Sequence, residues 1–349
     1  MKTFAVDITF HPRWWNEKVG VDFDRKFFWD PDYRVKADQE MRKELYNHFG
    51  ELGLGEKDPG PRPILGSDLI ASGFLYSEIL GCEVRYTPKD PPEVIAKNIS
   101  DEELAAFSLP DLNNNTLWKD TIKQAKYLEQ EYGSVVSHIN LQGVQNIALD
   151  LRGSELFIDY YLRPEVAERL LKNCTQLMIE TGKVLRKYSP FVSHGVTAIT
   201  KKVAPDAYVT SNCTVDMISR ETYENHLLSF DMQLAQAFRP FGMHHCGKSM
   251  ERMAKSYAKL RPEFAEVGAF SNISAVREAM PGVFLNLRYS PVKLRKANKK
   301  ELAEDLVSMF QANGPSTNVS ISCVGIDNET SDEIIKEFLA LGQTGGLKF

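Results

Sequence analysis

The chain has 349 residues, of which 43% are hydrophobic and 26% charged, with 22 Gly and 17 Pro. This composition excludes a disordered, collagenous or coiled-coil protein, and one α/β barrel can absorb the whole length. Forty-two basic against 47 acidic residues give a formal net charge of -5, which argues against a nucleic-acid binder.

No apolar run reaches the roughly 18 residues a membrane span needs, and Met1-Lys2-Thr3-Phe4-Ala5-Val6-Asp7 has no apolar signal core. A cytoplasmic protein with no membrane partner is expected. Its five cysteines, Cys82, Cys174, Cys213, Cys246 and Cys323, are few and odd in number. They read as thiols or metal ligands rather than a disulfide framework.

Residues 1–65 are aromatic and turn-rich, with His11-Pro12-Arg13-Trp14-Trp15, Phe27-Phe28-Trp29 and a Gly/Pro-rich loop from Glu51 to Pro63. They read as an N-terminal cap or lid on a catalytic domain of residues 66–349. Ser134–Asn140 reads as a short buried strand ending in His138 and Asn140. Pro164–Tyr188 is a helix, with proline in its first turn and Val166, Leu170, Leu171, Cys174, Leu177 and Met178 at helical spacing. Ala207–Ser211 is a strand. Arg220–Phe238 is a helix capped by Ser219. Then come a strand at Phe241–His244, a helix at Ser249–Leu260, and strands at Phe264–Phe270, Val283–Leu287 and Val319–Ser322. Helices at Lys299–Phe310 and Ser331–Leu341 flank the last strand. Strand–helix alternation implies a parallel sheet with crossover helices. No Gly-x-Gly-x-x-Gly follows a strand and no P-loop is present, so a (β/α)8 TIM barrel with an aromatic-rich cap is the expected fold.

The chemistry concentrates in Phe241-Gly242-Met243-His244-His245-Cys246-Gly247-Lys248, at a strand end, where barrels build their sites. Alternation along the strand points His244 and Cys246 one way and His245 the other. Imidazole and thiolate together suit zinc. Cys323, at the end of a second apolar strand, is the expected third ligand, and Cys213 in Ser211-Asn212-Cys213-Thr214 competes for that place. Three protein ligands leave one coordination position for reactant.

Around this cluster, Asp216 and Asn212 are the candidate catalytic residues. Asp216 reads as a group behind the ligands or a displaceable fourth ligand, and Asn212 as a hydrogen-bond partner of substrate. Asn286 and Arg288 are candidates for holding an anionic or polar substrate group. Trp14, Trp15, Phe28 and Trp29 could form an aromatic lid over an aryl methyl ether or a quaternary amine.

His244-His245-Cys246-Gly247 resembles the His-x-Cys-Gly element of the uroporphyrinogen decarboxylase superfamily, in its corrinoid-linked methyltransferase branch. The late Cys323-Val324-Gly325, the segment Asp216–Tyr223, the turn Leu162–Val166 and Gly81-Cys82-Glu83-Val84 are similar to further family positions. The resemblance spans roughly residues 65–345. It implies a barrel enzyme with zinc on His244, Cys246 and Cys323. The methyl group would move between a small substrate (a thiol, methyl ether or methylated amine) and the cobalt of a corrinoid. No Asp-x-His-x-x-Gly cobalamin module is visible, so methylcobalamin would come on a partner corrinoid protein. A homodimer is compatible with the sequence. The Arg-Gln-Ala-Gly-Arg stretch of true decarboxylases is missing near the N-terminus, which argues against a carboxylate-rich porphyrin substrate. The alternatives are a decarboxylase of a smaller acid working without zinc, and a metal- or corrinoid-binding protein without turnover.

Overall fold

A computed structural model describes residues 3–139, 142–189 and 198–346. Among them are ten strands: β1 (Ala5–Phe10), β2 (Ile64–Gly66), β3 (Glu83–Thr87), β4 (Asp90–Ile95), β5 (Val136–His138), β6 (Tyr208–Ser211), β7 (Phe241–His245), β8 (Phe264–Val267), β9 (Phe284–Tyr289) and β10 (Val319–Ile326). Six form one parallel sheet in the order β1-β10-β9-β8-β7-β6. β2 and β5 pair in parallel, and β3 and β4 form an antiparallel hairpin.

Six strands and two make the eight of a barrel, but no backbone ladder joins β1 to β2 or β5 to β6 among the described residues. The observed architecture is therefore mixed α/β, a six-stranded parallel half-barrel with a separate pair. β2 and β5 are only three residues long. Close packing fills one seam instead: a Cβ on Gly143 would lie 2.0 Å from the carbonyl oxygen of Ser211. Glycine is the residue that permits this approach.

The C-terminal elements match the sequence pattern closely. Pro164–Leu185 is a helix with proline in its first turn, and Ser219 accepts a hydrogen bond from the Thr222 amide as N-cap. The expected helix Arg220–Phe238 is two, Arg220–His226 and Leu228–Ala237, broken at Leu227. Asn140 lies outside the described residues.

The N-terminal expectation is corrected. Residues 1–65 are not separate from the barrel as a whole, because β1 is a strand of the main sheet, paired with β10 from Ala5↔Ser320 onward. Trp14 and Trp15 are 1% and 0% exposed. Trp14 stacks on Phe10 at 3.8 Å, and the Trp15 indole donates to the Leu69 carbonyl at 3.2 Å. These rings are core, and neither can close over a substrate.

Register sorts the side chains of the half-barrel into two faces, since alternate residues point oppositely. Val6 and Ile321 face the helix Asp332–Gln343, where a Cβ on Gly342 would lie 2.9 Å and 3.1 Å from their methyl groups. Met243, Val267 and Leu287 share that outer, apolar face with them. The inner face begins with an apolar floor of Val209, Phe264 and Phe284. Above it the pairing brings Ser211, His244, Glu266, Asn286 and Ser320 into one row. Arg288, Ser322 and Asp7 occupy the next row toward the strand ends.

Candidate metal centre

β7 carries His244 on the inner face, and Cys246 follows just past the strand end. β6 pairs Ser211 with His244, and the Asn212 amide donates to the His244 carbonyl at 2.7 Å. Cys213 and Cys246 are thus each two residues beyond the same rung of a parallel ladder. The ligand atoms of Cys213, His244 and Cys246 all lie within 4.8 Å of one another. His244 is buried, Cys213 half-buried and Cys246 exposed. Two thiols and an imidazole at this spacing fit zinc.

Two glycines let the backbone turn tightly here. A Cβ on Gly247 would lie 2.6 Å from Asp216 Cβ, and one on Gly268 would lie 2.0 Å from the Gly247 carbonyl oxygen. Larger residues would push the end of β7 away from its neighbours.

Behind the cluster runs a buried polar line. His244 Nδ1 is hydrogen-bonded to the Glu266 carboxylate. Asn286 donates to Ser322 at 2.9 Å and to Glu266 at 3.4 Å, and accepts from Ser320 at 3.0 Å. A carboxylate on one ring nitrogen of histidine fixes the other for a metal. Glu266 escaped the sequence reading. Its signal was a lone acid inside the buried strand Phe264-Ala265-Glu266-Val267, opposite His244 in register.

Electrostatics reinforce the arrangement. Burial works to lower the His244 pKa, yet the Glu266 carboxylate holds it up at about 9. Burial would raise Glu266, but the charges of His244 and Arg288 bring its carboxyl below the usual range. Between the two thiols, the hydrogen bond lowers Cys246 and raises Cys213, with His244 adding to the pull on Cys246. Arg288 Nη1 lies 3.9 Å from Glu266, is buried and has no hydrogen-bond partner.

Cys323 does not join this set. Its strand continues to Ile326, so Cys323 is inside the strand and not at its end. Asn286 bonds Ser320 and Ser322, which places those two on the inner face and Cys323, one residue on, on the outer face. There it is 0% exposed in the apolar core, and burial pushes its thiol pKa up. Cys213 takes the third position instead.

The other expected site residues divide. Asp216 sits beside the cluster, accepting from the Lys248 amide at 3.2 Å and Ser249 Oγ at 2.6 Å, with His245 Nε2 at 3.8 Å. Asp216 thereby fixes the turn after β7. Asn212 is buried and donates its side-chain amide to Asp231 at 2.7 Å. Asn286 is committed to Ser320, Ser322 and Glu266. Trp29 donates to Tyr86 at 3.1 Å and borders a small apolar cavity with Phe28, Phe74, Gly66 and Ile139, at the ends of β2 and β5. Arg288 is the one substrate candidate on the inner face with an uncommitted polar atom.

No family model matches the chain, and no curated protein matches it in sequence. Solved structures do match in fold. A methyltransferase from Methanosarcina mazei superposes with a TM-score of 0.68 at 15% identity, over 97% of this chain and 93% of that one. A B12-independent methionine synthase from Shewanella sp. W3-18-1, in complex with selenomethionine, gives a TM-score of 0.52 at 10% identity, over 99% and 97%. At 15% and 10% identity these likenesses show the fold alone.

Proposed function

We propose that the protein is a zinc-dependent methyltransferase that moves a methyl group between a small substrate and the cobalt of a corrinoid held by a separate protein. The carrying observation is the set Cys213, His244 and Cys246 at one mouth of the half-barrel, with Glu266 locking the imidazole behind it. Fold likeness to a methyltransferase and a methionine synthase supports the reaction class.

Zinc, when bound, supplies a Lewis acid with a place for the sulfur, oxygen or nitrogen of the reactant. The residues do the rest. Cys213 and Cys246 present sulfur, and His244 presents the ring nitrogen that Glu266 leaves free. Arg288 sets a fixed positive charge beside the two sulfurs, where it tempers their mutual repulsion and can pair an anionic group on the substrate. The Val209, Phe264 and Phe284 floor keeps water from entering beneath the site.

A partner must deliver its cobalt to the strand ends. Met217, Phe270 and Val292, which follow β6, β8 and β9, are 65%, 60% and 56% exposed and offer apolar contact there.

Metal analysis and a methyl-transfer assay test the reading together. The expected result is about one zinc per chain, with turnover of methylcobalamin plus a thiol, or of reduced cobalamin plus a methylated ether or amine. A pure protein that binds no zinc under reducing conditions refutes it and returns the question to zinc-free decarboxylation.

A further inference from the structure

We propose that Cys213 and Cys246 are a reversible oxidation site, forming a disulfide that displaces the metal. Of the five cysteines, Cys82, Cys174 and Cys323 are buried, while Cys246 is exposed and Cys213 half-buried. The two that meet at the cluster are therefore the two that an oxidant can reach.

Their geometry suits a bridge. Cys213 opens the turn Cys213–Met217 just after β6 and Cys246 comes directly after β7, each two residues past the paired Ser211 and His244. Their sulfur atoms already lie within 4.8 Å of one another, so modest closure makes the bond.

The oxidant is a small-molecule disulfide. The exposed Cys246 sulfur, as thiolate, attacks one of its sulfur atoms, forming a mixed disulfide and releasing one small thiolate. Cys213 then loses its proton and attacks Cys246 Sγ, forming the Cys213–Cys246 bond and releasing the second small thiolate. Two protein thiols are oxidised, one small disulfide is reduced to two thiols, and the protons pass to the released thiolates.

A disulfide sulfur carries no thiolate charge and is a poor zinc donor, so bridge and metal exclude each other. This coupling rests on the zinc site proposed above; the disulfide itself does not.

The test uses the full chain, stripped of metal by chelator and incubated with oxidised glutathione. Titratable thiols in denaturant should fall by two from the five in the sequence. Peptide mapping should find Cys213 joined to Cys246, and a reductant should restore all thiols. Cys213→Ser should stop at a glutathione adduct on Cys246. Five surviving thiols, or a bridge between other cysteines, overturns the site. Zinc-loaded protein should release about one zinc per bridge formed. Release without thiol loss, or a bridge formed with zinc retained, overturns the coupling while leaving zinc binding itself to be judged by the untreated protein.

Discussion

Glu266→Gln isolates what the carboxylate behind His244 contributes. The change keeps side-chain length and removes the charge at a fully buried position. The amide oxygen can still accept from His244 Nδ1, but His244 and Arg288 lose their shared counter-charge. Removing such a partner of a ligand histidine typically lowers metal affinity about 10–100-fold. At about 1.4 kcal/mol per tenfold, that is about 1.4–2.8 kcal/mol. Zinc affinity is read by competition with a chromophoric chelator at pH 7.5, alongside the denaturation midpoint. The expected outcome is weaker zinc binding in a folded variant whose cobalt-substituted spectrum stays close to that of the parent. Affinity within twofold of the parent would refute the role assigned to Glu266 and, with it, His244 as a ligand.

Three further outcomes follow from the packing. Cys213→Ala and Cys246→Ala should each lose stoichiometric zinc, whereas Cys323→Ala should keep it and lose about 1–3 kcal/mol of stability, measured by metal analysis and urea melts; zinc lost from the Cys246 and Cys323 variants but kept by the Cys213 variant would restore the sequence-based ligand set. Trp15→Ala should destabilise the fold by about 3–5 kcal/mol, because the ring is fully enclosed, and a substitution that left stability intact while abolishing substrate binding would return Trp15 to the site. Asp7 is fully buried, and desolvation raises its pKa to about 6 despite Lys202 at 3.9 Å. Its folded pKa exceeds the unfolded one, so its favourable contribution is complete below about 3.8 and disappears as pH rises through about 6. Asp7→Asn should therefore stabilise at pH 7.5, by an amount on the order of 3 kcal/mol, and the gain should shrink toward pH 4. Destabilisation at pH 7.5 would mean the Lys202 ion pair outweighs desolvation.

Much of the C-terminal half was legible because its helices have one apolar face and its strands are short apolar runs between caps. The N-terminal part was not, for reasons visible in its core. Pro31–Phe49 is a 19-residue helix whose buried side includes Arg34, Asp38 and Arg42. Arg34 satisfies the carbonyls of Phe27, Phe28 and Ile64 and the Gln124 side chain, so a charged residue stands where the hydrophobic period requires an apolar one. β1 was hidden similarly: Ala5-Val6-Asp7-Ile8-Thr9-Phe10 alternates, but its polar residues face the inside of the half-barrel, not solvent.

The site was legible to the extent that strand parity was. Alternation sets His244 on the inner face, with Cys246 near it, and His245 on the outer face. Cys323 was expected at a strand end, whereas β10 runs on to Ile326 and register sets Cys323 on the outer face. The row His244–Glu266–Asn286–Ser320 crosses four strands, and only register reveals it. Its energetics point beyond folding. The cost of burying the Glu266 carboxylate is opposed by the charges of His244 and Arg288, which hold its carboxyl below the usual range, yet a well-packed hydrocarbon often serves a fold as well as a buried ion pair. Asn286 and the two serines hold that carboxylate in one orientation, and the carboxylate holds one imidazole. At the end of this line stand two sulfurs and a ring nitrogen within 4.8 Å. Among the described residues, orientation of His244 toward those sulfurs is a use that the row shares, which ties the buried charge to the proposed metal site.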